Sequence, residues 1–199
     1  MPAGTFRCLV LGREPSGESH LLLSLLEPEE GLHRCLIRAS RKGDGRPDIF
    51  DEAEVALEKP KGGVNRFIRE YRVIHRHTGI GRSTQALERA SRLGNIVRRN
   101  PPPPESAAVA FRIVLETLGA MATRPRPDAA YLKALWLLLK DGGWPVEADW
   151  LGRLGTRATD AASVLSSPLD AQVADTAMVT SLTQDLEQWA AGEVHYILP

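Results

Sequence analysis

The 199-residue sequence predicts an α+β protein, with a small five-stranded β-barrel at the N-terminus and an all-α helical bundle after it. Three observations predict this. Up to about His77, apolar residues alternate in short runs broken by turn residues, the pattern of antiparallel strands. Past Gly79-Ile80-Gly81 the apolar period lengthens from two to about 3.6. Charge divides along the same line: residues 1–99 hold 18 Lys+Arg and 13 Asp+Glu, whereas 100–199 hold 7 and 12, so the halves carry +5 and −5 while the chain is neutral. The sequence therefore divides into a domain over 1–79 and another over 80–199.

The strands come in order. Phe6–Leu11 is the first run, closed by the turn at Pro15-Ser16-Gly17. Ser19–Leu26 is the second, with Leu21, Leu23 and Leu25 on one face. Pro28-Glu29-Glu30-Gly31 connects it to Leu32–Ala39. A polar loop from Ser40 to Pro47 leads into Ile49–Glu58, and Lys59-Pro60-Lys61-Gly62-Gly63 turns the chain into Arg66–Arg76. Five strands with β-only connections in about 75 residues suit a Greek-key barrel of the OB type, because sandwiches usually need seven or more.

Alternation also says where the positive charge should point. In the third strand His33, Cys35, Ile37 and Ala39 share one face, with Arg34, Leu36 and Arg38 on the other. In the fifth, Phe67, Tyr71 and Val73 are expected to face inward and Arg66, Arg72 and Arg76 outward. Arg41, Lys42 and Arg46 sit in the adjoining loop. The window 59–99 alone carries 11 basic residues against Glu70 and Glu88. Basic strand faces beside a basic loop are how a barrel of this type tracks a nucleic-acid backbone; exposed arginines that merely keep a strand surface soluble give the same pattern. Phe50 is the main outward aromatic expected.

His33/Cys35 and His75/His77 are each spaced i, i+2, so four zinc ligands could converge if their strands were neighbours. The alternation of Cys35 with Ile37 and Ala39 favours a core role instead, and no metal or other cofactor is expected. With only two cysteines, Cys8 and Cys35, the chain has neither a disulfide framework nor a four-cysteine zinc site.

The helical half begins at Ser83, a suitable N-cap for a helix to about Arg99 with Ala86, Ala90, Leu93 and Val97 as its apolar stripe. Arg82, Arg89, Arg92 and Arg99 form an adjacent arc that could extend a basic surface or be a solvated edge. Pro101–Pro104 ends that helix. A second is expected over Glu105–Ala122, packing through Val109, Phe111, Val114, Leu115 and Leu118. A third runs from an Asp128 cap to Gly142-Gly143. Trp150, Leu151 and Leu154 suit a short helical or irregular segment, and Gly155–Ser167 a loop or weak helix. Two last helices are expected near Leu169–Met178 and Thr180–Ala191.

At 43% hydrophobic and 25% charged, the chain is composed like a globular protein. The apolar run Ala134–Leu139 is too short for a bilayer, and the first residues lack a secretory pattern, so a cytoplasmic protein without a membrane partner is expected. No phosphate-binding glycine loop, nucleophile elbow or His-Glu-x-x-His motif occurs, so no enzyme is expected.

The segment Gly17-Glu18-Ser19-His20-Leu21-Leu22-Leu23-Ser24-Leu25-Leu26, the acidic turn to Gly31, and Arg38-Ala39-Ser40-Arg41-Lys42 resemble the N-terminal barrel of the RecO family of DNA repair proteins. Pro47-Asp48-Ile49-Phe50 is similar to that family's Pro-Phe after the basic loop, with an insertion. Leu138-Leu139-Lys140-Asp141-Gly142-Gly143-Trp144-Pro145 resembles the stretch ahead of its zinc knuckle. Where the first Cys-x-x-Cys-Gly would fall stand Leu151, Leu154 and Gly155, so the knuckle is missing.

The resemblance implies a nucleoid-associated DNA repair and recombination mediator. It would bind single- and double-stranded DNA through Arg34, Arg38, Arg41, Lys42, Arg46, Arg66 and Arg72, and anneal strands. With a RecR-like partner it would help load recombinase. A contact with the acidic tail of single-stranded DNA-binding protein would need a local pocket around residues such as Arg112, Arg124, Arg126 or Lys133. A protein–protein adaptor with little DNA affinity is the alternative, favoured if the barrel arginines are scattered or paired with Glu52, Glu54 and Glu58.

Overall fold

A computed structural model of the chain describes residues 5–39, 47–58 and 66–199. Five strands, β1 (Thr5–Ser16), β2 (His20–Glu27), β3 (Gly31–Arg38), β4 (Asp51–Leu57) and β5 (Arg66–Arg76), close in the order β1-β2-β3-β5-β4. Every pairing is antiparallel except β3 with β5, which run parallel through Cys35–Arg66 and Leu36–Phe67. This is the OB-like barrel expected from the strand count. Closure leaves no continuous open sheet edge.

Period-two alternation fills its interior. Cys8 and Val10 from β1, Leu23 and Leu25 from β2, Cys35 from β3, Ala53 and Val55 from β4 and Ile68 from β5 form one buried cluster, flanked by Phe6, Leu21, Ile37, Leu57 and Tyr71. Burial above all pushes the Cys35 thiol up to about 11 and the Cys8 thiol higher, so both are core side chains with little thiolate character. Phe50 is buried as well, at positive φ, with its N–H donating to the Val10 carbonyl at 2.8 Å. The outward aromatic expected there does not exist.

The fifth strand departs from simple alternation. Its register against β4 shifts twice, leaving Arg69 and Ile74 without a partner strand residue. Each bulge adds a residue and reverses the facing of the residues after it. Ile68, not Phe67, therefore enters the interior, while Tyr71 and Val73 lie opposite the buried Val55 and Ala53.

Helices α1 (Thr84–Arg99), α2 (Pro104–Thr123), α3 (Pro127–Asp141), α4 (Ala158–Ser166) and α5 (Thr176–Glu193) make up the rest, with one π-type turn at Glu147–Leu151. Among the described helices, α2 is long and apolar enough to cross a membrane by length and composition alone. Two compact units result. One is Met1–His77 with Pro101–Arg112, and the other is Thr78–Asn100 with Ile113–Pro199. In the first unit the 101–112 segment closes on the barrel at Gly31, where an added Cβ would lie 2.7 Å from the Pro102 carbonyl oxygen. In the same unit the Arg7 guanidinium lies 5.5 Å from the Phe111 ring centroid.

In the second unit Ser83 caps α1 by accepting from the Ala86 N–H, and the stripe Ala86, Ala90, Leu93 and Val97 is buried. Two expectations change here. Asp128 is not the cap of α3 but a buried first-turn residue. Arg126 holds the cap position at φ 72 and grips Asp128 through two hydrogen bonds of 3.0 and 2.9 Å. One helix, not two, spans the C-terminal region: Asp175 caps α5 through the Met178 N–H, and only a single 3₁₀ turn forms at Leu169–Ala171. A capping aspartate at 175 sets the helix start there, against the weaker apolar pattern upstream.

Candidate nucleic-acid interface

Outward positions on β2 and β3 alternate with the buried Leu23, Leu25 and Cys35, and the register places them in rows. His20 lies opposite Arg38, Leu22 opposite Leu36, and Ser24 opposite Arg34. The next strand continues the middle row, because Leu36 is level with Phe67. Leu22, Leu36 and Phe67 thus form a half-buried apolar bar across three strands. The Phe67 ring meets the His20 ring edge-on at a centroid distance of 5.9 Å. Arg38 flanks the bar on one side and Arg34 on the other, both exposed.

These two arginines have few competing partners. Arg34 lies 3.9 Å from Glu14, a weak exposed pair, and Arg38 has no ion pair among the described residues. Arg41, Lys42 and Arg46, which come after Arg38 in sequence, lie outside the described residues.

The fifth strand does not add to this surface as expected. Arg66, Arg72 and Arg76 do not share a face, because the bulges separate them. Arg72 alone lies opposite Glu54 and pairs with it, Nε to Oε2 at 3.0 Å. Arg76 reaches Asp51 at 3.6 Å, the carboxylate that also accepts the Tyr71 hydroxyl. Arg66 is level with the core residue Cys35 and turns to His33 and Glu30. Glu52 is likewise occupied, accepting from Arg7 Nε at 2.6 Å.

Around Arg66 lies the one group of three potential metal ligands among the described residues, Glu27, Glu30 and His33. His33 Nε2 is 3.1 Å from Glu27 and 3.6 Å from Glu30, while Arg66 Nη1 is 2.8 Å from His33 Nδ1. A guanidinium only donates, so Nδ1 is the acceptor and Nε2 carries the proton given to Glu27. That tautomer leaves no lone pair facing the carboxylates, and the group is a hydrogen-bonded anchor for Arg66. His33 and Cys35 are not brought together with His75 and His77 as a ligand set. His75 near the end of β5 and His77 just after it meet edge to face instead, with centroids 4.7 Å apart.

Of the expected arginine arc, Arg89 and Arg92 turn inward, while Arg82 and Arg99 stay exposed. Arg92 donates to Glu187 through Nε at 2.7 Å and Nη2 at 2.8 Å, and the buried Tyr131 hydroxyl donates to the same carboxylate at 2.6 Å. Arg89 stacks on Tyr131 at 5.5 Å, and Arg99 donates to the Leu198 carbonyl. Of the residues named for an acidic peptide, the three in this unit are already engaged. Arg124 pairs with Asp170 at 3.0 Å, Arg126 is engaged by Asp128 and the Ala174 carbonyl, and Lys133 donates to the Ser167 carbonyl. Burial lowers the Lys133 amine below the usual lysine range. A groove of about 420 Å³ in this unit runs between Trp150 and Trp189, but Arg153–Glu193 at 2.7 Å and Arg157–Asp185 at 2.5 Å already balance its charges.

Alternation in β3 alone was enough to locate Arg34 and Arg38. Phe67 was missed by sequence reasoning, since nothing in the local pattern marks a bulge at Arg69. Its only legible sign was the adjacent Phe67-Ile68 pair, of which one member must face outward. No protein-family model matches the chain, and no curated protein matches it.

Proposed function

We propose that this chain is a RecO-like DNA repair mediator that binds nucleic acid on the outer β2–β3–β5 face of its barrel. The observation that carries this is the pair Arg34 and Arg38, exposed on that face and, among the described residues, competed for only by the weak contact of Arg34 with Glu14, with the basic loop coming directly after in sequence. Guanidinium groups there neutralise phosphates and release counterions, a mode with steep salt dependence and little sequence preference. Screening two strands at one surface lowers their mutual repulsion, which is the physical requirement for annealing. Partner roles, with a RecR-like protein, single-stranded DNA-binding protein and a loaded recombinase, belong to the same proposal, as does action in the cytoplasm at the nucleoid. The activity is binding and strand handling, with no bond made or broken.

The pairing of Arg72 with Glu54 and of Arg7 with Glu52 favours a second reading, an adaptor with little DNA affinity. Binding of a labelled single-stranded oligonucleotide across a salt series decides between them. Arg34→Ala/Arg38→Ala should make the slope of log affinity against log salt shallower by roughly 1.4, two single-strand phosphates' worth. Absence of binding at low salt would leave the adaptor.

A further inference from the structure

The bar formed by Leu22, Leu36 and Phe67 needs an explanation that phosphate binding does not supply. Three apolar side chains in one row, level across three strands, stand half-exposed on the outside of the barrel between two arginines. A surface that only tracked a phosphate backbone would gain nothing from them. Phe67 is also held in place: its ring makes a T-shaped contact with that of His20, centroids 5.9 Å apart, and His20 Nδ1 lies 3.0 Å from the Ser19 hydroxyl. An aromatic ring fixed by a neighbour presents a face at low entropic cost.

From this arrangement we infer that the bar is a base-stacking platform, so that the barrel takes single-stranded nucleic acid, with unpaired bases laid on Phe67 and the leucines. Arg34 and Arg38 would hold the backbone on either side. Any base has a π-face, so the platform is tolerant of sequence. It discriminates against duplex, whose bases are already stacked and whose phosphates alone are offered. Glu14, close to Arg34, marks the acidic limit of the surface on β1. This inference rests on the nucleic-acid reading above, and goes beyond it in naming the bases, not only the phosphates, as ligand.

The test compares three probes at one salt concentration: a thymine oligonucleotide, an abasic single strand of equal length, and a duplex. The wild-type chain should prefer the base-bearing single strand to the abasic one. Phe67→Ala should weaken thymine-strand binding about tenfold, the effect of one stacked base. It should leave abasic and duplex binding unchanged, which also shows that the variant is folded. Phe67→Trp should restore binding, with its indole fluorescence quenched by the bases; the natural tryptophans 136, 144, 150 and 189 all lie in the other unit. Equal affinity of the wild type for base-bearing and abasic strands, or no effect of Phe67→Ala, overturns the platform while leaving the phosphate surface standing. No binding to any probe at low salt overturns both.

Discussion

Gly31 shows how one residue can be required by two independent demands. It sits at φ 87, where a side chain is strained, and its missing Cβ makes room for the Pro102 carbonyl. Gly31→Ala should destabilise the chain by at least about 2 kcal/mol, read from the denaturation midpoint, since left-handed strain and a backbone clash add. His77 makes a different demand. It is buried with neither ring nitrogen hydrogen-bonded among the described residues, and burial, helped by neighbouring His75 and opposed by Glu52, lowers its affinity for a proton. An imidazole depressed in the folded state leaves stability intact above its ordinary value of 6.5. Stability is then lost as pH falls from there through the depressed value, because only the unfolded chain gains the proton. His77→Phe should flatten that loss below about pH 6.5, measured as the pH dependence of unfolding; a variant curve parallel to wild type would refute the assignment.

At the scale of elements, β3 and β5 differ in how far their sequences can be read. Alternation through Gly31–Arg38 is unbroken, so the core role of Cys35 and the outward facing of Arg34 and Arg38 were legible from spacing. β5 carries two bulges, and a bulge is set by pairing with β4, which the strand's own sequence does not encode. That is why Arg66, Arg72 and Arg76 were expected on one face and are found with three separate partners. Helix α1 teaches the same lesson. Its apolar stripe and Ser83 cap were readable, but Arg89 and Arg92 of the arginine arc turn inward only because α5 offers Glu187 and α3 offers Tyr131. Arg92→Ala would leave that carboxylate, 11% exposed, with a hydroxyl in place of a cation. A loss of about 3 kcal/mol in unfolding free energy is expected, with Glu187→Leu/Arg92→Leu costing less than either single change.

At the scale of the whole molecule the formal charge is zero and the isoelectric point about 7.0. Solubility of the chain should therefore pass through a minimum near pH 7 in precipitant titrations and rise on both sides, because net repulsion vanishes there. A steady trend through neutrality would contradict this. The sequence by itself determined the class of fold, the five strands, the stripe of α1 and the split of charge between halves, since each is written in local periodicity and composition. Only the tertiary structure decided which charges remain available. Arg7, Arg66, Arg72, Arg76 and Arg92 each met a carboxylate distant in sequence, Arg34 only a weak one, and Arg38 none among the described residues. Ion pairing and the outward turn of Phe67 depend on strand register and helix packing, which are properties of residue pairs that meet only on folding.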